Sequence, residues 1–119
     1  MNNNNNAEEI FNDLKSRIDK IKNNALNSGK KDDASSSISY IGMILDEISN
    51  SLKKGKSVDI YKISEDLDGE LKAGIIGLYS FKTEKTIPEK LDALSLYCND
   101  VFMELMAGDS CAIPESFKN

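Results

Sequence analysis

The side chains that most often carry catalysis are either missing from this chain or spaced so that they cannot cooperate. Histidine is absent, which removes the usual general base near neutral pH and the commonest metal ligand. The two cysteines, Cys98 and Cys111, are well separated and have no companion ligands in a zinc-site pattern. Asp66, Asp68 and Gly69 look like a fragment of a calcium loop. The rest of that loop, its spacing of about twelve residues and its closing glutamate, is missing. Glu65/Asp66 and Asp46/Glu47 are neighbours in sequence, so on a helix they point in different directions and form no acid–base pair. Ser35, Ser36 and Ser37 have no base to activate them and suit the start of a helix. Gly74 and Gly77 lack both the pattern and the preceding strand of a phosphate-binding loop. The chain is therefore not expected to be an enzyme, and no cofactor or metal is expected.

Bulk composition points the same way. A chain of 119 residues fits one domain. Apolar residues make up 39% and charged residues 29%, as in ordinary globular proteins. The net charge is −5 and the pI about 4.7. The one dense basic cluster is Lys53, Lys54 and Lys56, too small for the basic stripe that neutralises phosphates, so no nucleic acid partner is expected. Cys98 falls on an apolar stripe and reads as a buried, inert thiol. Cys111 falls in a tail. No secretory leader is evident, and the longest apolar stretch, Ala73 to Phe81, is far too short to span a bilayer. A cytoplasmic protein is expected.

The elements that would position any site are helices. Residues 1–6, dominated by five asparagines, bury nothing and are expected to be disordered. From Ala7 onward, Phe11, Leu14, Ile18, Ile21 and Ala25 recur at steps of 3 and 4, and so share one helical face. Gly29 is a suitable left-handed cap. Asp32 and Asp33 can cap a second helix with the seam Ile38, Ile41, Leu45, Ile48 and Leu52. Tyr40 and Ile44 widen that seam enough for two neighbours. Lys53, Lys54 and Gly55 supply the stop.

Ser57 or Asp59 can open a third helix carrying Ile60, Ile63, Leu67, Leu71, Ile75 and Leu78. Gly69, Gly74 and Gly77 each cost it up to about 1 kcal/mol. Residues 74–83 also contain strand-favouring types, but a lone strand would have no partner for its backbone donors, so helix is preferred. The glycines permit close helix packing or, alternatively, a segment that yields to a partner. Thr86, Pro88 and Glu89 fit the opening of a fourth helix. It carries Leu91, Leu94, Cys98, Val101 and Leu105, with Phe102 beside the seam and Gly108 past the end. Residues 7–108 are thus expected to form an all-α domain, an antiparallel four-helix bundle, followed by an irregular tail over 109–119. Each stripe alone is marginal in water, so the helices must dock.

With little chemistry available, surface becomes the candidate for function. Ile75, Ile76, Tyr79 and Phe81 form the densest cluster of aromatic and branched residues. Core is the plainer assignment. If the bundle cannot bury them all, the excess marks a protein-binding groove.

The order of elements resembles the flagellin export chaperone family between Ala7 and Leu105. Ile10-Phe11-Asn12-Asp13 stands where that family has an aliphatic–aromatic pair. Tyr40 to Leu52 resembles its following helix, and Phe102 lies near the place of a late tryptophan. The family's tyrosine-rich third-helix signature is replaced by Leu67-Asp68-Gly69-Glu70-Leu71. The resemblance implies a helical bundle that holds an exported protein subunit in the cytoplasm before secretion. Phe81-Lys82-Thr83-Glu84 resembles a segment of the bacteriocin immunity proteins, which implies the alternative of a partner that is a toxin or its receptor. Either way the expected partner is a protein, and the expected contact residues are Ile75, Ile76, Tyr79 and Phe81.

Overall fold

The computed structural model describes residues 3–112, with side chains over 7–107. Among the described residues there are five helices and no strand: α1 (Asn3–Ser28), α2 (Lys31–Lys53), α3 (Ile60–Ile63), α4 (Gly69–Tyr79) and α5 (Ile87–Ala112). The apolar seams of the first, second and last helices face the core as their spacing predicts, with Phe11, Ile21 and Leu52 only half-buried against it. Leu14, Ile18, Ala25, Ile38, Ile41, Leu45 and Ile48 are in the core, as are Leu91, Leu94, Cys98, Val101 and Leu105. Ile44 is buried too and Tyr40 packs against the core, so α2 does bury a widened face.

Both left-handed stops are present. Gly29 has φ 78°, and its N–H donates to the Ala25 carbonyl at 2.9 Å. Gly55 has φ 73°. Around it the Gly55 N–H reaches the Leu52 carbonyl at 3.0 Å, and the Lys56 N–H reaches the Ser51 carbonyl at 2.8 Å. That pair of bonds is a Schellman ending, which only a residue tolerant of positive φ completes without strain.

Other boundaries differ from expectation. α1 begins at Asn3, inside the asparagine run expected to be disordered. An established helix adds one hydrogen bond for each residue it fixes, and this outweighs the modest propensity of asparagine. By the same mechanism α5 continues past Gly108 to Ala112, across the first part of the expected tail, and takes in the backbone of Cys111. The Cys111 side chain and residues 113–119 lie outside the described residues. α2 opens at Lys31, two or three residues earlier than a cap at Asp32 or Asp33 would place it, and both aspartates occupy its first turn, where the helix dipole favours negative charge.

The largest correction concerns the third predicted helix, which is two pieces. Asp59 opens α3, its Oδ1 accepting from the Lys62 N–H at 3.3 Å. After one turn Ser64, itself buried, turns its hydroxyl back onto the Ile60 carbonyl at 2.5 Å. That bond gives the backbone an alternative to continued helix. Asp68 is extended (φ −53°, ψ 146°), and Gly69 starts α4. The chain reverses between the two pieces. Val58 lies low, its N–H donating to the Tyr79 hydroxyl at 3.1 Å. Leu67 lies higher, lining a 240 Å³ cavity with Ile21, Tyr40, Ile41 and Leu71.

This fold-back sets the direction of everything after it. Leu14 packs at Gly74 and Ile10 at Gly77, so α4 runs antiparallel to α1. Lys90 pairs with Glu8 at 2.7 Å and Lys22 with Glu104 at 3.4 Å, so α5 runs parallel to α1. Ser49 bonds Asp92 at 2.6 Å and Ser95 bonds the Gly42 carbonyl at 3.0 Å, so α5 is antiparallel to α2. In a bundle of four strictly alternating helices, the last would oppose the first.

Candidate protein-binding groove

The cluster singled out in the sequence is split by the structure. Ile75 is 0% exposed and Tyr79 is 8% exposed, both within the core. The Tyr79 hydroxyl holds the Val58 backbone, and the Lys82 ammonium lies 5.0 Å from the centre of its ring. Ile76 and Phe81 are half-buried and pack against the same core. The segment is helical to Tyr79 and turns after it, with no strand. Its glycines explain the close packing: a Cβ on Gly74 would stand 2.5 Å from Cδ2 of Leu14, and one on Gly77 would stand 3.2 Å from Cδ1 of Ile10. Both glycines are notches that receive α1 side chains.

The polar clusters fasten helices together. Ser49, fully buried, donates to Asp92 Oδ1 at 2.6 Å, and Lys53 donates to Asp92 Oδ2 at 2.5 Å. These two bonds, the lysine's first, hold the Asp92 carboxyl below its ordinary range. Tyr97 donates to Asp19 between α5 and α1. That hydrogen bond, helped by burial, pushes its phenol up to about 12. Lys15 lies 4.9 Å over the same ring. Arg17 joins Asp13 to Glu70 between α1 and α4, and the Asp13 hydrogen bond raises its pKa. Burial alone pushes the Cys98 thiol up to about 12, which leaves too little thiolate for nucleophilic work near neutral pH. Asp66 and Asp68 are exposed. Among the described residues, no group of three or more acidic or cysteine side chains is placed to hold a metal ion.

What remains is a groove on the outer side of the α2–α5 contact. Its volume is 370 Å³, and Ile38, Gly42, Met43, Leu96, Cys98 and Phe102 supply its apolar lining. Gly42 creates it by bringing the helices close: a Cβ there would stand 3.3 Å from Cβ of Cys98. With only Ser95 and Cys98 facing Gly42, the seam is shallow, and the longer side chains on either flank point outward. Met43 is 62% exposed and Leu96 is 65% exposed. Met103 at 58% and Met106 at 41% continue the band up α5, since Leu96, Asn99, Met103 and Met106 repeat at steps of 3, 4 and 3. Met43 also borders a second hollow of 530 Å³ against α3, which includes Tyr40, Ile44, Val58 and Ile63.

Among the described residues every methionine is exposed, and all of them belong to this band. Methionine is usually a core filler, and outward-facing groups of it are typical of adaptable binding surfaces. The sequence carried the signal as a second apolar stripe on the last helix, offset from its core seam and masked by the denser cluster over residues 75–81. No helix among the described residues is long and apolar enough to cross a membrane. Comparison with known proteins finds no matching family model, no matching curated protein and no matching solved structure.

Proposed function

We propose that this chain is a non-catalytic protein-binding module, a cytosolic export chaperone or similar adaptor. It works as a four-helix scaffold of α1, α2, α4 and α5 with α3 as a lateral filler, and it holds an amphipathic partner segment along the α2–α5 groove by the helix-in-groove mode. The observation that carries the reading is the exposed band of Met43, Leu96, Met103 and Met106 beside a preformed groove. Exposed apolar side chains grouped beside a groove on a globular domain mark an interaction site. The mechanism is burial of the partner's apolar face without turnover. Ile75 and Tyr79 act in this reading as the support of α4, and Ile76 and Phe81 as its half-covered edge.

The test is quantitative affinity capture from the native host with the wild-type chain and with Leu96→Asp/Met103→Asp. Proteins lost with the variant, while its thermal unfolding stays unchanged, support the reading. Identical capture by both chains overturns it.

A further inference from the structure

Resting on that reading, we infer that the partner segment is an amphipathic helix whose apolar stripe is flanked by lysine or arginine. The groove is edged by acid. Asp46 is the one ionised side chain in its lining. Glu47 follows Met43 by four residues, and Asp100 lies four after Leu96 and three before Met103, so both share the faces of those apolar side chains. Asp46, Glu47 and Asp100 are all exposed. Lys53 on α2 is held by Asp92, while Lys54 and Lys56, just past the end of α2, share with Met43, Asp46 and Glu47 a neighbouring hollow that no α5 residue lines, away from the side of Leu96. A helix seated on Met43, Leu96 and Phe102 therefore brings its flanks against carboxylates, and basic flanks satisfy them.

The same charges disfavour other occupants. A second copy docked band to band would bring Asp46, Glu47 and Asp100 of both copies into one interface, and like charges brought together in an interface are penalised.

The test titrates the isotopically labelled full chain with synthetic helical peptides of identical leucine stripe and either lysine or glutamate flanks, read by amide chemical shifts. The expected result is shifts confined to Gly42, Met43, Leu96, Asn99 and Met103, with the lysine peptide binding about tenfold or more tightly at low salt. That ratio should shrink as salt rises and the Debye length falls to about 3 Å near 1 M. Asp46→Lys/Asp100→Lys should reverse the preference. Equal binding of both peptides at the groove overturns the charge assignment and leaves the protein-binding reading standing. No shift with either peptide overturns both. Sedimentation as a dimer that Leu96→Asp dissolves makes a second copy the occupant, and tighter peptide binding after removal of residues 113–119 makes it the chain's own tail. Either result overturns the inference.

Discussion

Two faces of this molecule use glycine to bring helices together, and they end up opposite in character. On the α1–α4 face, Gly74 and Gly77 meet Leu14 and Ile10. Large branched side chains fill the notches, and the 420 Å³ hollow beside them is rimmed by the charged side chains of Glu9, Asp13, Arg17 and Glu70. On the α2–α5 face, Gly42 meets the Cβ of Cys98 and the Ser95 side chain. Small groups face a small group, so the backbones approach while nothing fills the outer edge. Met43 and Leu96 then stand out over a hollow. Where one partner supplies volume, apolar side chains fill the seam and charged ones rim it; where neither does, apolar side chains are left standing over the open edge.

The largest effect should come from emptying a filled notch. Leu14 is essentially inaccessible to solvent, so Leu14→Ala is expected to cost about 2–5 kcal/mol in urea unfolding, from lost transfer energy plus the cavity. Overfilling the notch comes next. Gly74→Val places atoms where a Cβ already lies 2.5 Å from Leu14, and overpacking of that kind costs about 1–3 kcal/mol. The two changes together should cost less than their sum, by a coupling of about 0.5–3 kcal/mol, because the valine occupies space the leucine leaves. Strict additivity would mean that Leu14 and Gly74 do not share a notch. Gly69→Ala is the control: a Cβ there would meet nothing within 4 Å, so it should be neutral or stabilising by up to about 1 kcal/mol.

The contrast between these faces also shows what the sequence could reveal. Steps of 3 and 4 placed Leu14, Ile18, Ile38, Leu45, Leu94 and Cys98 correctly in the core, because burial of a helical face imposes that period directly. Periodicity failed between Ile60 and Leu78. The apolar spacing runs on through Ile63, Leu67 and Leu71 although the chain reverses between Ser64 and Gly69. A spacing rule records which residues are buried and carries no direction, so a fold-back whose two arms both face the core looks like one helix. The break was written in Ser64, Asp68 and Gly69, residues whose local bonding and backbone freedom compete with helix. The groove was harder to see. Exposure of Met43 and Leu96 depends on what the neighbouring helix presents, and the smallness of Ser95 and Cys98 opposite Gly42 is a relation between distant residues.

A smaller effect sharpens the comparison through pH. Asp92 ties α5 to Ser49 and Lys53 of α2 beside the open face. Its folded pKa is lowered, so its contribution to stability is present above the unfolded carboxylate pKa and is lost as pH falls through the folded value. About a third of the side chain is exposed (35%), which limits the magnitude to roughly 1 kcal/mol or less. Asp92→Asn should therefore lower the urea midpoint at pH 7 and make little difference near pH 3. An equal loss at both pH values would mean that the carboxylate's charge plays no part in holding the helices.

The smallest expected change in stability is the one that separates the two faces most sharply. Leu96 and Met103 are apolar and occupy helical positions, yet more than half of each is in water. Replacing them with glutamine removes little buried area, leaves no cavity and keeps helix propensity close to its original value. Leu96→Gln/Met103→Gln should shift unfolding by no more than about 0.5 kcal/mol, as substitutions at exposed sites usually do. The same pair should abolish capture of the partner. A stability loss approaching that of Leu14→Ala would place these side chains in the core, and the α2–α5 face would then bury its apolar side chains as the α1–α4 face does. Unchanged stability with lost capture is the signature of a surface held open for another chain, because only there do apolar side chains contribute nothing to the fold that displays them.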